Sequence, residues 1–236
     1  MKIKMNSKLA GCLALVVGIW MSLSVMAQAA MIPYTDIPSI YSPWLTDQIA
    51  YLYREGCVYV PRDKKFRGDE KLTRYDVAYL MGQVAHKLDG ISSADVTFSD
   101  VPRSHWAYRR VAMAVKSGLM DGFEDGTFRG DQPITNYELA VALDRALAKK
   151  NLSDYTKLYD FVDMPKNHWA YKAACSMHNT DIMASKEVYS EEIPDPDGIT
   201  VHVKWDGKTL EFHGDGTQTR YIAMQWFCRL IEALSK

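Results

Sequence analysis

Phe98-Ser-Asp100-Val-Pro102 opens a stretch that continues through Ser104-His-Trp106-Ala-Tyr108 and the turn Asp121-Gly-Phe-Glu-Asp125-Gly126-Thr-Phe128. It passes Pro133-Ile-Thr135-Asn-Tyr-Glu138 and ends at Lys149. The same order of signals recurs on both sides. Asp36-Ile-Pro38 lies 64 residues before Asp100-Val-Pro102, and Asp163-Met-Pro165 lies 63 residues after it. Trp44, Trp106 and Trp169 follow at matching places. A period of this kind decides the architecture, because each copy is one supersecondary unit that needs its neighbours to bury an apolar face.

The middle copy defines the unit. Ser104 is placed to cap a helix whose apolar positions Ala107, Val111, Ala114 and Val115 form one stripe. Gly118 stands where a left-handed residue ends such a helix. Asp125-Gly126 marks a tight turn, with Phe123 and Phe128 expected to anchor it to the core. Thr135-Asn-Tyr-Glu138 is a capping box ahead of a second stripe, Leu139, Leu143, Ala146 and Leu147. The unit is helix, turned loop, helix.

The first copy has a different loop, Tyr59-Val-Pro-Arg-Asp-Lys-Lys-Phe66, but Thr73 follows Trp44 by 29 residues, as Thr135 follows Trp106. In the third copy Trp169 to Thr219 is 50 residues, an insertion of about 21. Ile199 to His213 alternates around Asp206-Gly207, which predicts a two-residue hairpin with Val203 opposite Leu210 and Val201 opposite Phe212. Thr219-Arg-Tyr starts the last helix, with Ile222 in place of the acidic capping partner. The expected organisation is a leader at 1–29 and units at 30–90, 91–153 and 154–236, the last with an insertion at about 190–215.

Lys2, Lys4 and Lys8, an apolar run from Leu9 to Met26 and Ala27-Gln-Ala29 have the layout of an export signal. Removing its three lysines leaves 25 basic against 29 acidic residues, a net charge near −4. Such a chain has no global field for nucleic acid or anionic lipid. No second stretch is apolar enough to span a membrane. Cys175 and Cys228 form either a disulfide in the third copy or two buried thiols.

Thr73-Arg74 and Thr219-Arg220 put a guanidinium at the first position of a helix, beside amides that a helix leaves unpaired. A carboxylate there can take a forked pair of bonds from arginine and more from the amides. Asn136 holds that place in the middle copy and lacks the charge.

Phe98-x-Asp100-Val-Pro102, His105-Trp106-Ala107, Asp125-Gly126-Thr127-Phe128 and the Thr-Arg-Tyr or Thr-Asn-Tyr helix starts together resemble the S-layer homology (SLH) family over residues 34 to 236. Phe66-Arg-Gly-Asp69 and Phe128-Arg-Gly-Asp131 look most like the versions found in bacteria with an outer membrane. The resemblance implies a mainly α fold, with three tandem helix-loop-helix modules in a pseudo-threefold bundle and grooves between neighbours. It implies exported proteins held at the cell wall, cell surface or periplasm through pyruvylated secondary wall polysaccharide or modified peptidoglycan. The family's ligand-contacting arginine falls on Arg74 and Arg220, with Asn136 at the middle place. Its groove tryptophans fall on Trp44, Trp106 and Trp169, and its opening aspartates on Asp36, Asp100 and Asp163. Those aspartates read equally as turn residues before proline.

His105 and His168 are expected to bond locally, and the Asp121–Asp125 and Asp195-Pro-Asp197-Gly198 stretches lack the ligand spacing of a calcium loop. No metal or cofactor is expected. Neither a nucleophile elbow nor a phosphate loop is present, so the expected function is non-enzymatic wall binding. Surface-layer or outer-membrane-linking assembly with an envelope protein partner is the alternative.

Overall fold

The structure, a computed structural model, describes residues 32–38, 43–183 and 212–236. The described residues form six helices: α1 (Pro43–Arg54), α2 (Arg74–Asp89), α3 (Tyr108–Lys116), α4 (Asn136–Ala148), α5 (Tyr171–Asn179) and α6 (Arg220–Ser235).

Two of the three longer starts carry reciprocal caps. Thr73 with Asp76 opens α2, and Thr135 with Glu138 opens α4, each threonine accepting from the third amide while the acid accepts from the threonine's own. Thr219 makes no side-chain cap bond, and Ile222 has no acceptor for the reciprocal one. The starts of α3 and α5 differ from expectation. Their cap positions are Ala107 and Ala170, without a side-chain bond, and Ser104 takes no part. His105 and His168 supply the acceptor instead, through Nδ1 to the amides of Ala107 and Ala170 at 3.3 Å. Gly118 does adopt the left-handed conformation, with φ of 72°.

Each long helix packs on the short helix of the next unit rather than on its own. Helix α2 lies on α3, α4 on α5 and α6 on α1, while α2 and α6 both touch α4. The last helix therefore closes on the first. The buried centre is built from stripes such as Leu80 and Val84, Leu139 and Leu143, and Phe227 and Ile231. Each such side chain contributes about 1.5–3 kcal/mol when fully buried.

The long helices are joined at their starts by backbone hydrogen bonds. Arg74 and Tyr75 donate to the carbonyls of Gln132 and Gly130 at 3.0 and 2.8 Å. Asn136 and Tyr137 donate to Gly216 and Gly214, and Arg220 and Tyr221 donate to Glu70 and Gly68. Every helix start is thus satisfied by the loop ahead of the next long helix. Tyrosine and glycine interlock at the same joints. A Cβ on Gly68, Gly130 or Gly214 would stand 2.0, 2.1 or 1.8 Å from the ring of Tyr221, Tyr75 or Tyr137.

A second repeated device ties each opening segment to its loop. Asp100 accepts from the amides of Phe128 and Arg129 at 2.8 and 2.7 Å. Asp36 does the same for Phe66 and Arg67, and Asp163 for Phe212 and His213. Arg67, Arg129 and His213 have φ of 54°, 53° and 52°. A left-handed non-glycine residue costs about 1–2 kcal/mol. Two adjacent amides turned onto one carboxylate offset it, the arrangement of an anion-binding nest.

Phe212 and His213, at the end of the expected hairpin, hold the Asp163 clamp; the rest of that hairpin lies outside the described residues, as does the leader. Cys175 and Cys228 are not bonded to each other. All three described cysteines, Cys57 included, are buried free thiols. The physical reason is the packing order, which sets α5 against α4 and α6 against α1.

Candidate functional site

The arginines expected at helix starts do sit there, but the amides beside them are not free. In α2 the first two amides are taken by Gln132 and Gly130, and the third by Thr73 Oγ1 at 3.2 Å. An incoming anion would meet side chains, not an open helix end.

Arg220 bridges to the next unit. Its Nε donates to Asp76 Oδ2 at 3.1 Å, and its Nη1 faces the Phe66 carbonyl and Glu70 Oε2, both at 3.4 Å. Its Nη2 has no hydrogen-bond partner among the described residues, and the side chain is 19% exposed. It lines a cleft of about 290 Å³ together with Trp106, Tyr59, Lys65, Arg67 and Asp76. Trp106 is 41% exposed. One groove is therefore assembled from all three units: arginine from the third, acid from the first, tryptophan from the second.

The same arrangement, shifted by one unit, places Arg74, Glu138 and Trp169 around a smaller cleft of about 180 Å³. Here the arginine is buried and fully engaged. Nε donates to the Phe128 carbonyl at 3.0 Å, Nη1 to Glu138 Oε1 and Nη2 to the Asp121 carbonyl, both at 2.8 Å. Phe123 and Phe128 stack on the guanidinium at 4.7 and 4.9 Å. Burial pushes the Arg74 guanidinium below its ordinary pKa, opposed by the Glu138 charge. Phe123, expected as a core anchor, is half-buried and serves instead as this arginine's cover.

A further shift would bring together Asn136, Ile222 and Trp44. Asn136 is 1% exposed; its Nδ2 donates to the His213 carbonyl at 2.9 Å, and its Oδ1 has no partner among the described residues. Asparagine replaces arginine in the unit whose facing position carries isoleucine instead of an acid. By the same spacing, the two departures noted in the sequence fall in one joint of the plan. Trp44 is half-buried against the core.

Asp36, Asp100 and Asp163 are committed to the amide clamps and so shape the groove walls from behind. The sequence reading missed Tyr59, Tyr79, Lys65 and Phe123. Tyr59 stacks on Trp106 with centroids 4.1 Å apart, and Tyr79 lies 6.2 Å from it. Their signal was there: the 62-residue offset that carries Thr73 onto Thr135 also carries Tyr59 onto Asp121.

The family model of the S-layer homology domain matches residues 33–78 and 97–135. The S-layer homology domain is present in those two segments. Among similar proteins, a cellulosome-anchoring protein of Acetivibrio thermocellus is 28% identical over 134 residues, 56% of this chain and 29% of that protein. Outer membrane protein alpha of Thermotoga maritima is 48% identical over 50 residues, 21% of this chain and 12% of that protein. An uncharacterized cell wall amidase of Bacillus anthracis is 29% identical over 141 residues, 60% of this chain and 25% of that protein. The chain thus spans less than a third of each of these relatives. By name they are a cellulosome-anchoring, an outer-membrane and a cell-wall protein, and no described helix of this chain is long and apolar enough to cross a membrane.

Proposed function

We propose that this chain is a non-enzymatic envelope module of three SLH units, at 30–90, 91–153 and 154–236, behind an export signal at 1–29. It holds an anionic wall glycan, pyruvylated secondary wall polysaccharide or modified peptidoglycan, in a groove between units, and so anchors the protein or a partner to the wall. The observation that carries this is the Arg220 groove: a guanidinium whose Nη2 is unpartnered among the described residues, beside an exposed Trp106 in a cleft of about 290 Å³. A guanidinium forks a carboxylate, and an indole face covers the apolar side of a sugar ring. The anchoring name of one relative agrees with that role.

The groove acids support a binding role over hydrolysis. Asp76 Oδ2 accepts from Thr73 and Arg220, and Glu138 from Thr135 and Arg74. A carboxylate bonded both to a helix-start hydroxyl and to a guanidinium is engaged within the protein, not turned toward a leaving group. Co-sedimentation with purified wall sacculi tests the proposal. Wild-type protein should pellet, and Arg220→Ala with Trp106→Ala should remain in the supernatant while keeping its helical circular dichroism. Wild-type protein left in the supernatant but crosslinked to envelope proteins would favour outer-membrane-linking assembly. Release of soluble sugar fragments would mean an enzyme.

A further inference from the structure

The two arginine grooves differ in ways that their shared plan does not require. Groove one, around Arg220, has Lys65 and Arg67 on its lining with Arg220, against Glu70 and Asp76, an excess of one positive charge. Groove two, around Arg74, balances Arg74 and Arg145 against Asp121 and Glu138. Position 59 decides the aromatic content as well. In groove one Tyr59 stacks on Trp106 at 4.1 Å with planes 22° apart, and Tyr79 stands 5.8 Å from Tyr59. Arg110 lies over the Tyr79 ring at 5.0 Å. In groove two the corresponding positions are Asp121 and Val141, and Trp169 is left 62% exposed.

Access to the arginine differs too. Pro61 of groove one corresponds to Phe123 of groove two. Phe123 is clasped between two guanidiniums, 4.7 Å from Arg74 and 4.0 Å from Arg129. The Arg74 side chain is 7% exposed against 19% for Arg220. A ligand carboxylate reaching Arg74 would have to displace Phe123 and pass the Asp121 carboxylate.

Resting on the glycan-binding reading, we infer that the chain takes one anionic sugar, not two: Tyr59 is the specificity-determining residue of the Arg220 groove, while Phe123 and Asp121 shut the Arg74 groove to anions. Tyr59 props Trp106 and extends its flat face, so a ring laid on the pair is held where the free Nη2 meets its carboxylate. Asp121 at the same place in groove two supplies no face and the wrong charge.

Calorimetric titration with wall polysaccharide released from purified sacculi tests this, with thermal melts confirming that each variant folds. Wild type should bind one acidic repeat per chain. Tyr59→Asp should weaken binding roughly tenfold or more, while Tyr59→Phe, which keeps the stack, should bind like wild type. Asp121→Tyr combined with Phe123→Ala should raise the stoichiometry toward two. Two sites in the wild type overturn the inference and leave the glycan reading standing, as does full affinity in Tyr59→Asp. Absence of any binding by folded wild type would sink the glycan reading itself, and this inference with it.

Discussion

Arg220 donates its Nε to Oδ2 of Asp76 at 3.1 Å, across 144 positions of the sequence. The same oxygen accepts from the amide and hydroxyl of Thr73 at the start of α2. One carboxylate thus caps its own helix and holds the arginine of another unit. Arg74 and Glu138 repeat the relationship one step round the ring. Ring closure between the third unit and the first is therefore both apolar, through α6 on α1, and ionic, through Arg220 and Asp76 of α2. The ionic part is shared with the groove, so tightening the fold and presenting a guanidinium are one act.

The two arginines should differ in what their loss costs. Arg74 is buried, and its removal strands the carbonyls of Phe128 and Asp121 along with the Glu138 carboxylate. Arg74→Met should destabilise by about 3–5 kcal/mol. Arg220, with its pair partly in solvent, should cost roughly 1 kcal/mol as Arg220→Met. Urea denaturation of the two variants checks the order. An equal loss from both would mean that the Arg74 pair is weaker than its burial implies.

The aspartate clamps predict a graded series. Asp100 receives two amides while holding Arg129 at a positive φ. Asp100→Ala leaves both amides unmet and the strained residue unsupported, at about 2–4 kcal/mol. Asp100→Asn keeps one acceptor oxygen and should lose about half as much. Arg129→Gly in the Asp100→Ala background should recover roughly 1 kcal/mol, because glycine takes the left-handed conformation without cost. Failure of that rescue in denaturant titrations would separate the clamp from the strain.

Much of this was legible in the sequence. Thr73 with Asp76 and Thr135 with Glu138 announced their helices because a cap is a local event, complete within four residues. Gly118 did so for the same reason. The contacts that were not legible join residues far apart. Asp163 meets Phe212 across 49 positions, and no local rule separates a clamping aspartate from a turn-forming one. The helix-start amides were misjudged for the same reason. A helix leaves them unpaired only until another segment arrives, and Gly130, Gly214 and Gly68 arrive from other units. Arg74 and Arg220 looked equivalent because the difference between them lies in Phe123 and Pro61, in a loop whose composition varies between the copies.

Buried thiols set an alkaline limit. Desolvation by burial, with a smaller contribution from the nearby Glu55 and Glu232 carboxylates, pushes Cys57 and Cys228 up to about 12. In the unfolded chain they ionise near 8.5. Below that pH both states hold the protons, and the folded state loses nothing. Between about 8.5 and 12 the unfolded state alone releases them, so stability falls as pH rises, by at most about 1.4 kcal/mol per pH unit for each thiol. Urea midpoints should drop from pH 8.5 to 10.5, and Cys57→Ala with Cys228→Ala should flatten that slope. The same burial should keep both thiols unreactive toward iodoacetamide until the protein unfolds. Prompt alkylation at pH 8 would show that the thiols are open to solvent.

Gln218 stands where the other two units carry Leu72 and Ile134. Those two are 0% and 1% exposed, and Gln218 is 2% exposed. Its backbone does what theirs do, accepting from the Leu72 amide at 2.7 Å, as Leu72 accepts from Ile134 at 2.9 Å. Its side-chain amide does nothing comparable: neither Oε1 nor Nε2 has a partner among the described residues. A buried amide without bonds costs about 1–3 kcal/mol, and leucine of similar volume removes the polar atoms without opening a cavity. Gln218→Leu should therefore stabilise the fold by roughly 1–2 kcal/mol, a rise of a few degrees in Tm for a chain of this size. Gln218→Ala separates the polar penalty from packing, because it discards the amide and leaves a void. It should gain less than leucine or lose stability. A destabilised Gln218→Leu would mean that an ordered water satisfies the amide, and a melt paired with a high-resolution crystal structure would show that water directly.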